Sequence, residues 1–410
     1  MSAESVAAGP ESAGGGGGGR VLVFRNVRPW GRGAAVDLVV VDGLVSDLPV
    51  PVGAEVVEGE GRMVLPALVD AHIHPDKTTW GGPWVSRAPA QGIAALAEQD
   101  AELFRAQQLP VAERAFGLMA HAVSRGTRAL RAHADVAPAY GLAGVEGVAE
   151  ARERLRHALD VQITAFPQHG VMRAPGTAEL LARAAREGLV DQVGGIDPTG
   201  FDGSGGEQLD LLFDLAGRHG TGLDLHLHER GGVGLATLRD VVARTRALGL
   251  RGRVTVSHAF CLAGLGAAEL DVVAGELSEA GIALTTVAPG DRLVLPIAAL
   301  AARGVRVGLG SDGVRDSWSP FGNADMMHRT HLLGWLTDAR LDAELTACYE
   351  TAAHGGAAVL GLPRADLTPG SPADLVLLRG ECLPQVVVDL PPRDLVVHGG
   401  RVVARDGRLV

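Results

Sequence analysis

The sequence predicts an α/β protein built on a (β/α)8 TIM barrel, and three observations predict it. Strand-like apolar runs alternate with amphipathic helical stretches, without a break, from about residue 64 to residue 363. The strands in that span number eight, which is the arithmetic of a closed parallel barrel. Polar residues of chemically useful types fall where these strands end, the edge at which a barrel collects its reactive groups.

In chain order the strands read "MVLPALVDAHIH", "TRALRAHADV", "DVQITAFPQ", "QVGGIDP", "TGLDLHLHE", "GRVTVSHA", "GIALTTVA" and "VRVGLGSD". Between them lie helical segments such as "TAELLARAAREGL", "GEQLDLLFDLAGRHG" and "AAELDVVAGELSEAG", each closing at or near a glycine. No GxGxxG follows the first strand, which weighs against a dinucleotide-binding open sheet. Residues 20–63 and 364–410 have a different texture of short strands and turns, with Gly399-Gly400 and Asp406-Gly407 as hairpin candidates. Six consecutive glycines at 14–19 mark residues 1–19 as a disordered leader.

The chain of 410 residues is 47% apolar, enough for a large buried core, and carries 48 acids against 37 scattered bases for a formal charge of -11. That balance disfavours nucleic acid or an anionic membrane as partner and suits a small ligand. The three cysteines are far apart with no CxxC, so neither a disulfide framework nor a zinc ribbon is expected, and a cytoplasmic location is. The N-terminus lacks the features of a signal peptide, and no apolar run is long enough to span a membrane.

His72 and His74 close the first strand. Side chains two apart on a strand share a face, roughly 6.5 Å apart along it, so both rings can turn toward one ion. His226 after the fifth strand and Asp312 after the eighth complete a nitrogen and oxygen set suited to one divalent ion, zinc or iron, with a position open for water. Glu229, three residues after His226, is placed to shuttle a proton, and His258 to hydrogen-bond the activated water. Asp312 has a second task, accepting the water's proton. His228 and Asp224 are expected around the ligands or facing outward. Asp197 closes the fourth strand, where it could pair with a cationic substrate group, bridge to a second ion or cap the turn before Pro198. Lys77, the only lysine of the chain, stands three residues beyond His74.

These motifs, in this order, resemble the amidohydrolase superfamily and its cytosine deaminase branch. The resemblance runs through "LPALVDAHIHPDKT", "ITAFPQHGV", "DLHLHE", "VTVSHA", "VGLGSDGVRDSWSPFGNADM" and "GSPADLVLL". It implies the same roles for His72, His74, His226, Asp312, Glu229 and His258. It further implies that Gln168 holds the substrate ring with Phe166 and Trp318 beside it, and that Lys77 ties down its loop or reaches an anionic group. The two β-rich ends are implied to form one small β-sandwich domain, and homo-oligomers are implied. Gly313 and Ser311 depart from the cytosine pattern, which carries an acid and a histidine there, so the substrate is expected to be another ring.

The expected chemistry is hydrolytic deamination of an amino-substituted nitrogen heterocycle or cyclic amidine by metal-activated water. Opening a cyclic amide or removing an N-alkyl amine is the alternative, and a barrel that binds without catalysis is a third. The loop "HPDKTTWGGPW" is expected to act as a lid, since its glycines permit motion.

Overall fold

The computed structural model describes residues 20–50, 52–290 and 293–410, and the leader expected at residues 1–19 lies outside them. The chain begins with strands β1 (Val21–Pro29), β2 (Val36–Val41), β3 (Leu44–Ser46), β4 (Glu55–Glu58) and β5 (Met63–Pro66). It then builds a second sheet from β6 (Leu68–His74), β7 (Thr127–Asp135), β8 (Asp160–Phe166), β9 (Gln192–Ile196), β10 (Gly222–His226), β11 (Val254–Ser257), β12 (Ala283–Thr286), β13 (Arg306–Leu309) and the short β14 (Asp312–Gly313). It closes with β15 (Leu375–Leu378), β16 (Arg393–His398), β17 (Arg401–Arg405) and β18 (Arg408–Leu409).

Strands β6 to β13 pair in parallel, each with the next in sequence. The eighth run is divided between two partners. Its first half, β13, pairs β12, and its second half, β14, pairs β6 through Asp312 opposite Ile73, so the two edges of the sheet meet. The result is a TIM-barrel-like α/β domain. All seven residues of β6 and all nine of β7 are buried, as expected of parallel strands covered on both faces. Helices fill the outside. The three named in the sequence form at Thr177–Arg186, Gly206–His219 and Ala267–Ala280, the last ending at Gly281 with φ 65°, a left-handed turn suited to glycine.

The two ends of the chain share one sheet. β1 pairs β2 antiparallel and β4 and β5 in parallel, and β5 pairs β15 antiparallel, with Leu375 opposite Pro66. Leu22, Phe24 and Val64 pack with Leu375, Leu377 and Val397 in a core cluster separate from that of the barrel. Only Ala67 intervenes between β5 in this sheet and β6 in the barrel, so the terminal sheet fixes where the first barrel strand begins. Among the described residues no helix is long and apolar enough to cross a membrane.

Candidate active site

The C-terminal ends of β6, β10, β11 and the β13–β14 run converge. Alternation along β6 puts His72 and His74 on one face, with ring centroids 5.2 Å apart. His226, the last residue of β10, brings its Nε2 within 3.5 Å of His74 Nε2. Asp312 Oδ1 lies 3.7 Å from His72 Nε2 and 3.5 Å from His74 Nε2. His258 sits 4.9 Å from His72 and 5.1 Å from His226 between ring centroids. His258 and Asp312 have φ values of 70° and 60°, and Asp197 has 32°. Non-glycine residues in this region cost of order 1 kcal/mol or more and concentrate at functional sites.

The donor set fits a divalent ion. His72 Nε2, His74 Nδ1, His226 Nδ1 and both nitrogens of His258 are buried without a hydrogen-bond partner. Ligand atoms of His72, His258 and Asp312 come within 4.8 Å of one another, as do those of His72, His133 and His226. Burial is the largest cause holding all four imidazoles, His72, His74, His226 and His258, well below their usual pKa, so they are neutral and can ligate. The Asp312 side chain is 38% exposed, which leaves the open side of the cluster toward solvent.

Glu229, expected as the proton shuttle, has its carboxylate in three hydrogen bonds within the protein. Its Oε1 accepts the amides of Thr199 and Gly200 at 2.9 and 2.6 Å, and its Oε2 accepts Thr237 Oγ1 at 2.8 Å. The carboxylate expected as shuttle is thus used to hold the loop after β9. Asp197, expected to pair with substrate, bridge to a second ion or cap its turn, has its carboxylate engaged on both oxygens by protein groups. Its Oδ1 accepts the amides of His228 and Glu229 at 2.6 and 3.1 Å, and its Oδ2 lies 2.8 Å from His228 Nδ1. His228, expected around the ligands or facing outward, has a carboxylate behind it, and its ring stacks on His258 at 4.4 Å.

Lys77 is 2% exposed and surrounded by acids. Its Nζ lies 3.2 Å from Asp135, 3.4 Å from Asp100 and 2.7 Å from Gln168 Oε1, and approaches the rings of Phe166 and Trp318 at 5.7 and 5.9 Å. Burial alone would lower its pKa, but the carboxylates of Asp100, Asp135 and Asp76 outweigh that and raise it, which favours the ammonium form. Its contacts with Asp135, Asp100 and Gln168 tie the loop after His74 to the strands and the helix beside it. Gln168 is correspondingly held by Lys77. Phe166 stacks on His226 at 3.9 Å and so packs against a ligand ring as well as bordering the pocket. Trp318 has a buried Nε1 without a partner and is anchored through its amide by Asp316 Oδ1 at 2.9 Å.

The loop after His74 is not loose. Thr78 Oγ1 donates to Val314 O at 2.6 Å, the Thr79 amide donates to Arg315 O at 2.9 Å, and Arg87 donates to Ser319 O at 2.9 Å. These bonds stitch it to the segment after β14, so its first half serves as a wall.

Several members of the site were not anticipated. His133 is fully buried on β7, with its ring 4.0 Å from His72 and 4.9 Å from His226. A signal existed, since Arg131, His133 and Asp135 alternate along the quoted strand "TRALRAHADV" and so share one face. Asp100 gave no such signal, because it arrives on the helix Gly92–Ala106.

Fold and rim together define a hydrolase of the metal-assisted barrel kind. The chain belongs to the amidohydrolase family, whose model matches residues 55–410, and it is an enzyme acting on carbon–nitrogen bonds. The crystal structure of N-isopropylammelide isopropylaminohydrolase from Burkholderia multivorans ATCC 17616 is similar with a TM-score of 0.90 and 39% identity, covering 95% of this chain and 100% of that one. N-isopropylammelide isopropyl amidohydrolase of Pseudomonas sp. (strain ADP) is 28% identical over 408 residues, 95% of this chain and 98% of that protein. A 5-methylcytosine deaminase from Klebsiella pneumoniae shares the fold with a TM-score of 0.78 and 24% identity, over 94% of this chain and 97% of that one.

Proposed function

We propose that this enzyme hydrolyses the exocyclic C–N bond of an oxygen-bearing nitrogen heterocycle that carries an alkylamino or amino group, an N-alkylammelide being the first candidate. The observation that carries the chemistry is Asp312 Oδ1 standing within 3.7 Å of the ligating faces of both His72 and His74. Likeness to N-isopropylammelide hydrolases over nearly the whole chain moves alkylamine removal ahead of simple deamination, reversing the order expected from the sequence. Gln168 supports an oxygen-bearing ring, because Lys77 occupies its carbonyl oxygen and leaves its amide nitrogen to donate.

His72, His74, His226 and Asp312 would hold one zinc or iron ion, and the commitment of Asp197 to His228 favours a single ion. When bound, such an ion supplies the Lewis acidity that lets water attack near neutral pH. Asp312 accepts the proton of the attacking water, and His258 orients it. In its doubly protonated form His228, its Nδ1–H held by the Asp197 carboxylate, delivers its Nε2 proton to the leaving nitrogen, so that the C–N bond breaks and a neutral amine departs. His228 then regains a proton from solvent and Asp312 returns the one it took, which closes the cycle. Phe166 and Trp318 confine the ring. The test is mass spectrometry of products from the zinc- or iron-loaded protein with alkylamino- and amino-substituted triazines and pyrimidines. Release of an alkylamine or ammonia, abolished by a chelator and restored by metal, is expected. Absence of C–N cleavage across the panel overturns the reading.

A further inference from the structure

Beneath the ligating rim lies a row of polar groups that no step above uses. Arg131 on β7, Asp224 on β10, Ser257 on β11 and Thr285 on β12 are all buried, the last three at 0% exposure. Ser257 Oγ stands 2.6 Å from Asp224 Oδ1, 2.8 Å from Thr285 Oγ1 and 3.0 Å from His72 Nδ1. The other oxygen of Asp224 accepts Arg131 NH1 at 2.9 Å. Arg131 is itself fixed by Gln162 Oε1 at 3.0 Å and Val359 O at 3.2 Å.

Counting protons decides the direction of each bond. A carboxylate only accepts, so the single hydroxyl proton of Ser257 goes to Asp224. Two lone pairs then remain on Ser257 Oγ, and two donors can fill them, the Thr285 hydroxyl and a proton on His72 Nδ1. Were His72 protonated on Nε2 instead, two lone pairs would face each other at 3.0 Å and the nitrogen nearest Asp312 would be blocked. One tautomer satisfies every partner, and it is the one with a free Nε2.

We infer that Asp224 and Ser257, braced by Arg131, are positioning residues that hold His72 as its Nδ1–H tautomer and make its Nε2 a stronger metal ligand. The inference rests on the metal site proposed above. The hydroxyl relays the carboxylate's charge to the ring through two short buried bonds, which polarise one another where water cannot screen them. Arg131 holds the other oxygen of that carboxylate at 2.9 Å, which fixes its orientation toward Ser257. Partners of this kind outside the ligand set commonly change metal affinity by about 10- to 100-fold.

The test compares zinc affinity, by chelator competition, in the wild type, Ser257→Ala and Asp224→Asn. It also follows the His72 Nδ1 proton in the zinc-loaded protein carrying ¹⁵N-labelled histidine. Both variants are expected to bind zinc about 10- to 100-fold more weakly and to shift that proton's resonance or lose it to exchange with solvent. Ser257→Ala leaves the Arg131–Asp224 pair intact, so it decides the matter should Asp224→Asn fail to fold. Wild-type affinity with an unmoved resonance in folded Ser257→Ala overturns the relay while leaving the metal site standing. A wild type that takes up no zinc or iron overturns both.

Discussion

Nδ1 of His228 stands 2.8 Å from Oδ2 of Asp197, a carboxylate whose other oxygen is held by the amides of His228 and Glu229. The pair joins the ends of β9 and β10 and presses the imidazole flat against His258. If this imidazole is the proton donor, His228→Ala lowers kcat by about 10²- to 10⁴-fold with metal content unchanged. Glu229→Gln, whose parent carboxylate is occupied by Thr199, Gly200 and Thr237, has the smaller effect. Steady-state kinetics with metal analysis checks both, and a more severe Glu229→Gln returns the shuttle to Glu229.

Lys77 is the cation in direct contact with both Asp100 and Asp135. Lys77→Met keeps the volume and removes the charge, which leaves Asp100 and Asp135 buried beside Asp76. Breaking a buried pair from one side costs about 3–5 kcal/mol. Urea unfolding should show that loss, and it should be reduced in Lys77→Met combined with Asp135→Asn. A single variant as stable as the wild type would contradict the charge balance.

Gly313 is a packing requirement as well as a departure from the cytosine pattern. A Cβ built there would lie 2.2 Å from Asp316 Oδ2, and Asp316 is fully buried with its pKa pushed up to about 7, chiefly by burial. Gly313→Asp should therefore destabilise the fold by about 1–3 kcal/mol or more and loosen Trp318, without conferring cytosine deamination. Thermal melting and a cytosine assay test the two halves.

A pH-dependent tie links the barrel to the terminal sheet. Asp374 meets Arg128 of β7 at 2.9 Å and His398 of β16 at 3.1 Å. Burial works against both charges, but the contact between Asp374 and His398 outweighs it, lowering Asp374 below 3.8 and raising His398 above 6.5. For His398 the stabilisation is complete below its unfolded value and is lost as pH rises through the raised folded value. For Asp374 it is complete above 3.8 and is lost as pH falls through the lowered folded value. His398→Gln should thus cost more stability at about pH 5.5 than at about pH 9, as read from urea unfolding at each pH. An equal cost at both would dissolve the pair.

How far the sequence reached can be judged from particular elements. The eight strands were legible because parallel barrel strands are apolar on both faces, so "TTVA" or "VTVS" hardly resembles anything else. The convergence of His72, His74, His226 and Asp312 was legible because residue type and strand-end position already limit where such side chains can meet. The His228–Asp197 pair was not. It depends on which way two neighbouring strand-end side chains turn, and periodicity cannot give that.

The sequence by itself determined the alternation, the order of the strands and the histidines at their ends, because hydrophobic period and residue chemistry are local properties. Only the tertiary structure decided which carboxylates are spent and which are free. Glu229, Asp197 and Lys77 each found partners on other elements. A buried charge goes wherever donors or countercharges can compensate its lost hydration, and those groups become neighbours only when the barrel closes.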